Sequence, residues 1–75
     1  MSRFTIMLHS INDVKEFVRI VNEFDYDIDL SSGRYIVDAK SIMGIFSLDL
    51  ARPIVVDVHG SEALDLKARL KDFIF

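Results

Sequence analysis

Two histidines, a serine that opens a short apolar run, and three alternating aspartates are the side chains of this 75-residue chain with types and spacing suited to chemistry. His9 and His59 lie fifty positions apart and have no carboxylate or thiolate at ligand spacing, so neither suggests a zinc or iron centre. His9 follows the first strand and leads into the first helix, where a ring nitrogen could meet helix amides. His59 ends a later strand with no partner evident in the sequence and reads as structural or solvent-exposed. Asp25, Asp27 and Asp29 offer carboxylates to a cation. Alternate strand positions splay them about 7 Å apart, however, which favours a solvated sheet face. Ser41 is a good helix N-cap, its hydroxyl placed to accept an amide two or three residues on. Behind it come Ile42, Met43, Ile45, Phe46 and Leu48, more apolar surface than one face of so short a helix can bury. Part of that surface is expected to meet solvent or a partner.

Composition narrows the classes. A chain this short is one domain, residues 1–75, and buries only about 60% of its unfolded surface. There is no cysteine, hence no disulfide and no thiolate metal site. Stability has to come from the 51% of apolar residues. A formal charge of −3 and the absence of a basic stripe argue against nucleic acid. No apolar run approaches the length of a membrane span, and the N-terminus lacks a signal-peptide pattern, so a cytoplasmic location without membrane contact is expected. No metal or other cofactor is expected.

The elements follow from periodicity. Arg3 to Leu8 reads as a strand with Phe4, Ile6 and Leu8 on one side. Ser10 caps a helix, with Asp13 three residues on forming a weak capping box. Ile11, Val14, Phe17, Val18, Val21 and Phe24 fall at helical spacing, while Lys15, Glu16, Arg19, Asn22 and Glu23 take the wet face. Tyr26 to Leu30 alternates as a strand, Ser31-Ser32-Gly33-Arg34 turns, and Tyr35 to Ala39 returns. After the short helix from Ser41 comes a loop, Asp49 to Arg52. Pro53 then starts a nearly continuous apolar strand, Ile54 to Val58, suited to a central position. Gly60-Ser61 ends that strand and caps a last helix whose stripe is Ala63, Leu66, Leu70 and Phe73, widened by Leu64 and Ile74. The order is βαββαβα. A ferredoxin-like βαββαβ fold is the natural rival, but its second helix must cross the sheet, and about eight residues span only about 12 Å.

Ala39-Lys40-Ser41-Ile42-Met43-Gly44, followed by an apolar pair and Ser47-Leu48, resembles the regulatory serine segment of the HPr family, the phosphocarriers of the bacterial sugar phosphotransferase system. The resemblance extends through nearly the whole chain in order and spacing of elements. It implies an α+β open-faced sandwich, a four-stranded antiparallel sheet with three helices on one face. The family carries a phosphoryl group on a histidine at the start of the first helix, followed two residues later by an arginine and then a proline. Aligned through Glu16-Phe17-Val18, those positions fall on Ser10, Asn12 and Asp13. An aspartate in that first turn repels a phosphoryl group. His9, one residue earlier, is the sole candidate replacement, against the plainer reading of a loop histidine without a phosphoryl role.

The resemblance further implies that Ser41 is a regulatory phosphorylation site, modified by a dedicated kinase, and that Ile42, Met43 and Phe46 are a partner-binding patch. An N-cap retained for structure alone explains Ser41 equally well. Members of the catabolite-repression HPr type keep the serine and lack the active histidine. Three functions are therefore carried forward. The first is a non-catalytic, non-enzymatic regulatory or adaptor domain that meets phosphotransferase-system or transcription-regulator proteins and a serine kinase. The second is a phosphocarrier using His9, and the third is a small module for interaction or self-association, such as a homodimer.

Overall fold

The computed structural model describes residues 2–60 and 62–75. Strand β1 (Ser2–Ile6) is followed by helix α1 (Ile11–Val21) and the hairpin β2 (Asp27–Ser32) and β3 (Tyr35–Asp38). Then come α2 (Ile42–Phe46), β4 (Ile54–His59), α3 (Leu64–Arg69) and a closing 3-10 turn at Lys71–Phe73. The four strands make one antiparallel sheet in the order β1-β4-β2-β3. This is the open-faced α+β arrangement expected from the resemblance. α2 has only five residues, a rise of about 8 Å, too little to carry the chain across a sheet as the ferredoxin-like rival requires.

Alternation puts Phe4, Ile6, Ile28, Leu30, Ile54, Val56 and Val58 on the inner face, where they share one core with Val14, Phe17, Ile20 and Val21 of α1, Ile45 of α2 and Leu66 of α3. Phe17 also meets Phe73 edge-on, ring centroids 6.2 Å apart. The opposite face carries Arg3, Thr5, Asp27, Asp29, Ser31, Val55 and Asp57, none of them fully buried. The wet acidic face of β2 and the buried Ile28 are thus as the sequence suggests, although the strand begins at Asp27 and leaves Asp25 in the preceding loop. The hairpin turns through Gly33, whose φ of 61° suits glycine, and is two residues long.

Several expectations are corrected. Ile11 is 63% exposed rather than part of the core stripe, and Ile20, absent from the expected stripe, is buried in its place. Leu64 is likewise exposed. The last helix starts at Leu64 with Ala63 as its N-cap, in a left-handed conformation. Ser61, expected to cap it, lies outside the described residues. Beyond Leu70 the chain leaves the α-helical path and runs beside β1. The Met7 N–H donates to the Phe73 carbonyl (2.8 Å), the Phe75 N–H donates to the Thr5 carbonyl (2.9 Å), and Ile74 bridges Ile6. These bonds satisfy edge groups of β1 that a continued helix would leave bare.

On the wet side, Glu23 joins two helices. Lying just after α1, it accepts from Arg19 of that helix (3.1 Å) and from both terminal guanidinium nitrogens of Arg69 on α3. The Arg69 hydrogen bond, chiefly, holds the Glu23 carboxyl below its ordinary range. Its stabilising effect is therefore complete above the unfolded carboxylate range and is lost as pH falls through the lower folded value. Glu23→Gln is expected to make the acid side of the stability–pH curve shallower, read from thermal melts taken across the acid range.

Phe17 and Leu70 are fully buried. Alanine at either is expected to cost about 2–5 kcal/mol, against a total stability of about 5 kcal/mol for so small a domain. Urea denaturation should find both variants largely unfolded in buffer, and a wild-type midpoint in either would contradict this packing.

Candidate functional site

The N-terminus of α1 is closed by its own side chains. Ser10 is extended, φ −149°, and its hydroxyl accepts the Asp13 N–H at 3.1 Å. The Asp13 carboxylate folds back and accepts the His9 N–H at 2.9 Å. The capping box read from the sequence is present, displaced by one residue, since the returning bond goes to His9 rather than to the cap itself. The consequence is chemical. A helix start offers amide donors and a positive potential to an anion, and here a carboxylate already occupies that field. Asn12 stands where a guanidinium is expected from the alignment.

His9 is exposed and borders an open depression of about 480 Å³ that Met7, Leu8, Ser10, Ile11, Phe46, Leu50 and Ala51 also line. No lysine or arginine lines it. His9 thus has access to solvent, and none of the described residues that line the depression is a cation able to hold a phosphoryl group.

α2 forms the other wall. Ser41 caps it as expected, its hydroxyl accepting the Gly44 N–H at 3.2 Å. Gly44 packs closely on β3: a Cβ there would come 3.2 Å from the Val37 Cβ, a tight contact that a small local shift would have to relieve. Ile45 and Leu48 go into the core. Met43 is 81% and Phe46 44% exposed, as the sequence suggests. Ile42 is corrected: it is half-buried and packs against the core. Ile11, which the sequence assigned to the core, instead shares the depression with Phe46. The exposed apolar side chains on and beside α2 are therefore Met43 and Phe46 with Ile11 of α1. Periodicity could not find Ile11, since an apolar residue in a first turn looks the same whether or not the sheet extends beneath it.

The other candidates lie on the far side. His59 is exposed, as expected, and has a partner that the sequence did not make evident: its Nε2 lies 2.8 Å from the Asp29 carboxylate. The strand register sets Asp29 directly opposite Asp57 on one side and Asp38 on the other. Arg3, opposite Asp57, donates to it at 2.6 Å. The aspartates thus form a row across the sheet with a cation at one end, and like charges so placed oppose each other.

Comparison with known proteins adds to this. The family model described as PTS HPr component phosphorylation site matches residues 11–74. The chain belongs to the HPr family of the phosphotransferase system. The crystal structure of HPr-C-His from Thermoanaerobacter tengcongensis is 27% identical, with a TM-score of 0.80, covering 99% of this chain and 91% of that one. The phosphocarrier protein HPr of Bacillus anthracis str. Ames is 27% identical with a TM-score of 0.74, covering 97% and 95%. The histidine-containing phosphocarrier protein of a Mycoplasma shares the fold at 16% identity, TM-score 0.75, over 95% and 89%. An HPr fold of the usual shape therefore carries Ser10, Asn12 and Asp13 at its first helix.

If Ser10 serves as a cap, Ser10→Ala should destabilise the domain by about 1 kcal/mol. Chemical denaturation checks this, and an unchanged midpoint would remove the capping role.

Proposed function

We propose that this HPr-family protein is a non-catalytic regulatory or adaptor domain rather than a phosphocarrier. The observation that carries the reading is the Asp13 carboxylate folded over the start of α1, with Ser10 as the cap. A phosphoryl group brought there would meet a negative charge within the first turn, and no arginine to offset it. Family membership supports a role among phosphotransferase-system proteins, in the cytoplasm, and the closed helix start supports a role that passes on no phosphate.

Binding, in this reading, goes through the apolar surface of Met43 and Phe46, extended by Ile11 and with Ile42 at its half-buried base. Ser41 is the regulatory position. A phosphate on its oxygen would stand at the positive end of α2, a local gain of up to about 1 kcal/mol, and would bring charge to the rim of the patch. That would alter affinity for a transcription regulator or phosphotransferase-system partner without unfolding the domain.

The test has two arms. Incubated with the general phosphotransferase enzyme and labelled phosphoenolpyruvate, the protein should acquire no acid-labile label. Label that disappears in His9→Ala would overturn the reading in favour of a carrier using His9. In titrations of a partner captured from the native host, Met43→Glu should abolish binding and Ser41→Asp should change the affinity at an unchanged melting temperature. Binding that survives Met43→Glu would move the interface elsewhere.

A further inference from the structure

The two edges of the sheet are treated differently. β1 is covered by residues 73–75, whereas nothing among the described residues pairs with the outer edge of β3. Edge strands are ordinarily blunted by lysine, proline or a bulge. β3 has none of these: its centre is Tyr35-Ile36-Val37, with Tyr35 67% and Ile36 69% exposed.

The direction of the free backbone groups can be worked out. The Ala39 N–H donates to the Ile28 carbonyl at 3.0 Å. Given the register from Asp29–Asp38 to Ser32–Tyr35, antiparallel alternation turns Tyr35, Val37 and Ala39 toward β2 and turns Arg34, Ile36 and Asp38 outward. The Asp38 carbonyl is taken by the Ser41 N–H (3.0 Å). The groups left facing out are both of Ile36, the Asp38 N–H and the Arg34 carbonyl.

We infer that β3 pairs with β3 of a second copy of this chain, antiparallel about a two-fold axis at Ile36. In that register each Ile36 exchanges both its hydrogen bonds with the other, and each Asp38 N–H donates to the opposing Arg34 carbonyl. The side chains agree with the backbone. Residues 34, 36 and 38 share the outer face, so Ile36 meets Ile36 and each Arg34 stands opposite an Asp38, an opposite-charge cross-strand pair. Among the described residues the Arg34 side chain has no hydrogen-bond or ion-pair partner, and Asp38 ends the aspartate row at the side away from Arg3. The guanidinium of the second copy closes that row with a cation. Neighbouring registers are poorer: centring on Asp38 sets carboxylates face to face, and centring on Val37 sets Ile36 opposite Asp38, whose carbonyl is already taken by the Ser41 N–H, and joins no opposite charges. Arg-Tyr-Ile-Val-Asp is complementary to itself, which selects a second copy over an unrelated extended peptide. A contact this short falls in the small interface class, below about 1,200 Å², so the dimer forms reversibly with concentration.

Sedimentation velocity of the full chain over a concentration series tests this. Wild type should show a monomer–dimer equilibrium. Ile36→Lys, Arg34→Asp and Asp38→Arg should each be monomeric at concentrations where wild type is dimeric, with thermal melts reporting that each is folded. Mixing the Arg34→Asp and Asp38→Arg proteins should restore a dimer, because both cross-strand pairs then join opposite charges. Arg34→Asp lies in the turn, outside the ladder, and keeps the test usable if Ile36→Lys does not fold. Met43→Glu should dimerise like wild type, so this contact and the proposed α2 docking surface fail independently. A wild-type monomer throughout, a dimer surviving Ile36→Lys, or a charge-reversed mixture that stays monomeric would each overturn the inference.

Discussion

The position of β4 between β1 and β2 is the constraint from which the rest follows. β4 pairs with both neighbours, so its register fixes which face every residue of β1 and β2 takes. A slip of one residue would turn Ile54, Val56 and Val58 outward and bring Val55, Asp57 and His59 into the core. Inward valines and isoleucine therefore decide more than their own burial. They set Asp57 beside Asp29 and His59 within reach of it, and they leave the hairpin partner β3 at an edge. The acidic row is a by-product of this register, tolerated because its face is wet and because Arg3 and His59 stand next to it.

Much of this was legible in the sequence because it is local. The alternation at Tyr26–Leu30, the caps at Ser10 and Ser41, and the β-branched run after Pro53 each carry their own signal within a few residues. What was not legible depends on the ends of elements and on pairing between distant ones. A helical period gives the direction of Ile11 and Leu64 around an axis but not how far the sheet extends beneath it. Both lie in the first turn of their helices, and both are exposed. Ile42 differs in the other direction: expected outward, it is half-buried and packs against the core. The Asp29–His59 contact joins residues thirty apart and exists only because β4 enters beside β2. The tail from Lys71 looked helical because Leu70, Phe73 and Ile74 keep the helical spacing. Its turn toward β1 answers the unpaired edge groups there, which local periodicity does not register.

The candidate site divides the same way. Sequence reasoning identified Ser10, Asp13, Ser41, Met43 and Phe46 because each has a type and an offset with physical meaning. It missed Ile11 as a surface residue, and with it the continuity between α1 and α2 around a single depression. That continuity matters because neither helix alone presents much apolar area: α2 has two exposed large side chains and α1 has one. Ile11 and Phe46 meet at the depression, with Met43 exposed on the same short helix as Phe46.

The start of α1 shows how a helix terminus can be satisfied from within by its own side chains. A histidine that accepts phosphate needs helix amides left unclaimed and a positive field left unopposed. Serine at the cap and aspartate three residues on claim both: one hydroxyl takes an amide of the first turn, and one carboxylate takes the field and the His9 N–H. Each of those bonds favours the helix in the resting protein. The same atoms that make this terminus stable therefore make it a poor receptor for an anion. Relieving one while keeping the other would take a donor that is absent here, a guanidinium where Asn12 stands.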